Sequence, residues 1–171
     1  MVVEGVMATT QYLTFRLGDE VFALDISKVR EVLDFTTVTK VPRTPAFLRG
    51  VINLRGSVVP VADLRLKFGM TVTEKSVNTC VIIAEIEVDG ETTLLGALAD
   101  SVQEVIELGA DGLQPAPRIG TRLNTEFIKG MGKQNERFII VLDIDKVFSS
   151  VELSLVHTVQ AGQEASSVPA G

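Results

Sequence analysis

The chain reads as an all-β protein with short helices, folded as two packed lobes, and three observations lead there. Apolar residues alternate with polar ones at period two or gather in short runs. Turn signals rich in Gly, Asp and Ser separate those runs. One long stretch then returns later in the chain: AFLRGVINLRGSVVPVADLRLKF (46–68) aligns without gaps on EFIKGMGKQNERFIIVLDIDKVF (126–148). Phe47/Phe127, Gly50/Gly130, Val61/Val141, Asp63/Asp143 and Phe68/Phe148 are identical in the pair. Upstream, VREVL (29–33) matches VQEVI (102–106), and the change of offset predicts a seven-residue insertion within the loop containing Arg118 to Asn124. Two units that each bury one face against the other make a bilobal β fold.

Taken in order, YLTFRL opens the first strand, with Leu13, Phe15 and Leu17 on one face and Tyr12, Thr14 and Arg16 on the other. Gly18-Asp19-Glu20 turns the chain into a second strand at VFAL. A helical turn or two fits Asp25–Arg30. In RTPAFLRG, Thr44 can cap, Pro45 suits the first helical position and Gly50 suits the exit, so a short helix is predicted there. Pro60 cannot donate to a ladder, which predicts an edge strand or a bulge for SVVPVADL. Asp63 and Asp143 read as strand-end or helix-capping residues. CVIIAEIEV turns through Asp89-Gly90, a type I′ hairpin signal, into TTLLGALA. A last helix is expected from the Ser149–Ser150 caps through VELSLVH. Residues 1–10 and the end of the chain are small and polar and read as flexible tails.

Charge and composition exclude several functions. The net charge of −6 argues against a general nucleic-acid binder. Lys40, Arg43, Arg49, Arg55, Arg65 and Lys67 face one acid, Asp63, in a basic tract, whereas Ser76–Asp111 holds acids and no Lys or Arg. Such opposed fields orient encounter with different partners. No apolar run is long enough to span a bilayer, and Glu4 with no basic n-region does not read as a signal peptide. The single Cys80 allows no internal disulfide and is expected as a buried, reduced strand residue in a cytosolic protein. Its one histidine, His157, has no second His or Cys beside it, so no zinc site or catalytic triad can be assembled, and Gly130-Met131-Gly132-Lys133 lacks the spacing of a phosphate loop. Binding rather than catalysis is the expectation, with no cofactor and no metal. An enzyme with a carboxylate-lined cleft between the lobes is the competing reading, and it requires a deep pocket of convergent polar groups.

The most pointed feature is the tip of GVINLRGSVVP. Arg55 stands there between Asn53-Leu54 and Gly56-Ser57, and the repeat puts Lys133-Gln134-Asn135-Glu136 in the matching place. The scaffold was duplicated and the arginine was not. An exposed guanidinium at that tip offers five donors in a rigid fork. Val29, Glu31 and Val105 lie in or beside the VREVL repeat and are candidate surface contacts.

LGDEVFALDISKVREVL, VPRTPAFLRGVINLRGSVVPVADLRLKFG and LNTEFIKGMG together resemble the CheW family, the chemotaxis coupling proteins, over about residues 11 to 150. The resemblance implies two SH3-like five-stranded β-barrels packed on a shared hydrophobic core, about 12–72 and 76–150 with strands exchanging at the edges, followed by a short helix and disordered tail over 151–171. It further implies a non-catalytic adaptor that couples the cytoplasmic tip of chemoreceptors to the regulatory domain of the histidine kinase CheA, with other CheW-like domains as neighbours in array rings. A scaffold of a non-flagellar chemosensory pathway fits the same resemblance. Receptor contact is implied for Arg55, Val29, Gly50 and Val105, and kinase contact for Ile26, Glu31 and Gly130. Neither nucleic acid nor direct membrane insertion is implied.

Overall fold

The computed structural model describes residues 9–35, 37–88, 90–115, 127–134, 136–149 and 152. Within residues 9–149 the described strands and α-helices are, in order, β1 Thr9–Leu17, β2 Glu20–Asp25, β3 Val29–Asp34, β4 Leu48–Leu54, β5 Ser57–Asp63, α1 Leu64–Lys67, β6 Cys80–Val88, β7 Glu91–Ala99, β8 Ser101–Gly109, β9 Ile128–Gln134, β10 Arg137–Leu142 and α2 Ile144–Val147. The strands form two five-stranded sheets, β8-β1-β2-β10-β9 and β3-β6-β7-β5-β4. No helix among the described residues is long and apolar enough to cross a membrane.

The repeat is real, and its halves are interleaved. Each half runs hairpin, single strand, hairpin, helical turn, yet each sheet takes its first hairpin from the opposite half. β1–β2 sits with β8, β9 and β10, and β6–β7 sits with β3, β4 and β5. The division expected near residues 72–76 therefore gives way to an exchange of two whole strands in each direction. Local signals match on both sides. The parallel pairings β5–β7 and β10–β2 correspond, and a register shift at Leu48/Gly50 in β4–β5 recurs at Val141/Leu142 in β9–β10. Asp63 and Asp143 cap α1 and α2 by accepting from the N–H two residues on, as expected.

Alternation sorts the side chains into three apolar cores. Tyr12, Val21, Ala23, Ile106, Ile139 and Val141 fill the interior of the first sheet. Ile52, Val59, Val61, Val81, Ile83 and Leu98 fill the second. Leu13, Phe15, Leu17, Ile82, Ala84 and Ile86 belong to a larger core shared between the sheets. There the repeated phenylalanines cross between halves. Phe68 stacks on Phe127 at 4.8 Å between centroids, and its counterpart Phe148 meets Phe47 at 5.4 Å.

Several local expectations change. The helix predicted at 44–50 is a turn closed by Leu48 N–H to Pro45 O, because Phe47 and Leu48 are drawn into the core and β4 starts at once. Thr44 Oγ1 donates to Val41 O instead of capping. Pro60 lies in the interior strand β5, neither at an edge nor at a bulge. It is tolerated because the parallel pairing with β7 begins one residue later, at Val61. Residues 9 and 10, assigned to the N-terminal tail, pair with Gly109 and Leu108. Cys80 is half-buried at the start of β6, where burial raises its thiol pKa. A 3-10 turn, Ile26–Lys28, supplies the turn expected after Asp25. The expected insertion, His157 and most of the C-terminal helix lie outside the described residues. The start of that helix carries a capping box, with Ser149 N–H donating to Glu152 Oε1 and Glu152 N–H to Ser149 Oγ.

Glu152 also accepts from Lys67 Nζ, which lies 5.3 Å from the Phe47 ring centroid. Burial pushes the Glu152 carboxyl up, but the Lys67 ammonium and the Ser149 bonds outweigh it and hold the carboxyl below the ordinary glutamate value. Its stabilising contribution is therefore present above the unfolded-state pKa and disappears as pH falls through the lower folded value. In a carbon-13 carboxyl titration, Glu152 should show a midpoint below that of ordinary glutamates, and Lys67→Met should move it upward.

Gly50 sits at φ 144°, and an added Cβ would stand 2.1 Å from Thr39 O. Gly56, at φ 90°, has nothing within 4 Å of that position. Urea unfolding should show Gly50→Ala losing more than about 3 kcal/mol, against about 1–2 kcal/mol for Gly56→Ala.

Candidate functional site

The sheet β3-β6-β7-β5-β4 leaves β3 and β4 as its two edges, and the site lies where those edges meet. Backbone closes one level: Thr39 N–H donates to Val51 O at 2.9 Å, and Val51 N–H to Thr39 O at 2.8 Å. Side chains close another. Leu54 pairs with Ser57 across a two-residue turn in which Arg55 (φ 50°) and Gly56 (φ 90°) are both left-handed, as a type I′ hairpin requires. Asn53 Oδ1 accepts from Gly56 N–H at 2.8 Å and braces the turn. From this tip Arg55 reaches Glu31 on β3. Nη2 pairs with Oε2, and Nη1 donates to Oε1 at 3.4 Å in a two-point fork.

The Arg55 side chain remains 70% exposed, while that of Glu31 is 29% exposed. The hydrogen bond it donates to Glu31, then the charge of that carboxylate, raises the arginine pKa above its ordinary value. Two residues assigned by resemblance to different partners thus form one unit, and part of the guanidinium fork is already engaged.

The remaining expected contacts divide by exposure. Val105 is 47% exposed on β8, opposite Leu13, so it lies on the face carrying the shared core. Its repeat counterpart Val32 is 39% exposed on β3, opposite Ile82 of that same core. Sequence reasoning missed Val32, although aligning VREVL on VQEVI already placed it on Val105. Ile26 and Val29 are half-buried against the shared core.

Gly50 and Gly130 are buried and present no contact surface. Each seats a crossing loop: a Cβ at Gly50 would strike Thr39, and one at Gly130 would stand 2.6 Å from Leu113 Cδ2 and 3.0 Å from Gln114 O. Thr39–Val51 and Gln114–Met131 are matching bridges beside these glycines.

Much of the basic tract is engaged inside the chain. Arg49 Nη1 reaches the fully buried Asp63 at 3.1 Å, and Asp63 also accepts from the Arg65 N–H and from Thr73 N–H and Oγ1. Arg65 pairs with Asp100 and Lys67 with Glu152. Lys40 and Arg43 remain, paired with no carboxylate among the described residues. They border a groove of about 650 Å³ floored by Val41, Leu48, Leu66 and Val72. This groove carries no carboxylate, whereas a smaller one of about 230 Å³ is lined by Asp25, Asp143 and Asp145 together with Lys28 and Lys129.

Replacing Arg55 by Ala removes an exposed pair and relaxes no core, so its melting temperature should stay within about 2 °C of the parent by calorimetry. A fall like that of a core variant would assign Arg55 to the fold.

Comparison with known proteins agrees with this architecture. Residues 11–152 match the CheW-like domain family. The chain is similar to the chemotaxis protein CheW of Klebsiella aerogenes, at 40% identity over 87% of both chains. It is also similar to the chemotaxis protein CheW of Treponema pallidum, at 32% identity over 84% of each. Among solved structures, the scaffolding protein TtCheW of Thermoanaerobacter tengcongensis superimposes with a TM-score of 0.75 at 34% identity, covering 85% of this chain and 91% of that one.

Proposed function

The chain belongs to the CheW family, and from that membership we propose that it works without catalysis, bridging chemoreceptors to the regulatory domain of the histidine kinase CheA. It is a chemotaxis adaptor of CheW type. The single observation that carries the division of its surface is the exposed Arg55 fork, anchored by Glu31 at the mouth of one duplicated barrel, where the repeat supplies no arginine in the other.

The receptor's cytoplasmic helical tip docks at Arg55 and along the apolar rim residues Val29, Val32 and Val105. Apolar burial at the rim supplies the affinity, and the guanidinium sets orientation. Ile26, on the 3-10 turn leading into β3, and Glu31 belong to the kinase contact, and Glu31 also holds Arg55 in place for the receptor. Gly50 and Gly130 act by seating the loops beside these surfaces. Lys40 and Arg43 add steering toward acidic partners. The protein works at receptor arrays on the cytoplasmic side of the membrane.

Gel filtration of the full chain with a receptor tip fragment and the kinase regulatory domain should give a ternary complex. Arg55→Ala should weaken receptor capture about tenfold while leaving capture of the kinase domain within about twofold. Val105→Ser should weaken receptor capture by a similar factor. Unchanged capture by a folded Arg55→Ala protein would overturn the assignment of this tip.

A further inference from the structure

Two charge clasps fasten the sheets to each other, at places related by the internal repeat and with opposite polarity. In the first, Arg65 on α1 donates to Asp100 at 2.6 Å, and Asp100 also accepts from the Gly18 N–H at 2.6 Å. In the second, Asp145 on α2 accepts from Lys28 Nζ at 2.8 Å and from the Glu87 N–H at 3.0 Å.

The alignment of 46–68 on 126–148 puts Arg65 on Asp145. The alignment of 29–33 on 102–106 puts Ser27-Lys28 on Asp100-Ser101. The strand registers put Gly18 on Glu87, since Leu17–Glu20 corresponds to Ile86–Thr93. An equivalent backbone N–H is therefore held by a carboxylate in both clasps. In one that carboxylate follows the exchanged hairpin, and in the other it sits on the helical turn. The cation takes the opposite side each time.

We propose that this inverted polarity selects which halves may pair, so that a first half accepts a second half and rejects another first half. Because each half lends its hairpin to the other, two copies of the chain offer wrong partners of almost the same shape. If two first halves exchanged hairpins, Arg65 of each would face Lys28 of the other. If two second halves did so, Asp145 would face Asp100. Both mispairings bring like charges within one residue of the clasp position, whereas the correct pairing puts opposite charges in contact twice. The clasp side chains are between 19% and 33% exposed, which limits the screening that cancels exposed pairs. The opposed tracts, basic over Lys40–Lys67 and acidic over Ser76–Asp111, favour the same choice.

The test gives both clasps one polarity in the full chain. Arg65→Asp with Asp100→Ser and Ser101→Lys copies the second clasp into the first, and Ser27→Asp with Lys28→Ser and Asp145→Arg does the reverse. After refolding from urea, light scattering on a sizing column should show an oligomeric fraction at least about tenfold above the parent chain for either variant, rising with protein concentration. Combining all six substitutions restores opposite polarity and should return the parent's refolding, which mere destabilisation would not do. Parent-like refolding of the single-polarity variants would overturn the proposal. So would failure of both to fold, since polarity would then be a requirement of the fold itself, and so would oligomers that persist in the combined variant.

Discussion

Everything in this molecule depends on the exchange of hairpins between its two halves. The β1–β2 hairpin completes a sheet with β8, β9 and β10, and β6–β7 completes the other. Neither half can bury its own apolar faces, because the missing strands belong to the other half. The shared core repeats the point in side chains, with Phe68 on Phe127 and Phe148 against Phe47 crossing between halves. Burying each such ring contributes about 2–3 kcal/mol, whereas an exposed ion pair contributes about 1 kcal/mol or less. Apolar interleaving holds the barrels at one fixed orientation, and surfaces on both of them keep a constant spacing. A coupling protein needs that frame.

On this frame, duplication preserved what folding requires and let the rest diverge. Gly50 and Gly130 both lie under a crossing loop, Asp63 and Asp143 both cap a helical turn, and both bridging loops close a barrel. Arg55 has no such counterpart. A left-handed non-glycine residue costs about 1 kcal/mol or more. Its exposed contact with Glu31 is the weak kind of ion pair. Folding alone therefore does not explain why this side chain is held forward at the tip, which is the reason for proposing receptor contact there.

The repeat made most of the strands legible, because period-two alternation and turn chemistry survive in each copy. It did not reveal the exchange. A strand's pattern tells which face is buried and carries no mark of which neighbour it pairs with. Pro45 and Gly50 looked like helix punctuation because the same residues serve turns and bulges, and the choice was made by Phe47 and Leu48 entering the core. At Gly50 and Gly130 the motif shows that a glycine is required without showing whether a surface or a backbone crossing requires it, and the structure places a crossing loop over each. The exposure of Arg55 was legible for the opposite reason: its absence from the second copy separated it from the scaffold. Val32 could have been found by the same comparison, since its match to Val105 was already in the alignment.

The basic tract shows why counting charges misjudges a binding surface. Of its six cations, Arg49, Arg55, Arg65 and Lys67 already contact carboxylates of this chain. Two of these pairs are the means by which residues far apart in sequence are joined, Arg65 to Asp100 and Lys67 to Glu152. The field left for partners is narrower than the sequence suggests, centred on Lys40, Arg43 and the free side of the Arg55 fork. The apolar contribution has the reverse character. Val32 and Val105 stand on the faces that form the shared core, so a helix laid against them extends a core that already exists. In the proposed complex, affinity draws on the same apolar burial that joins the halves, while the unduplicated arginine orients the helix.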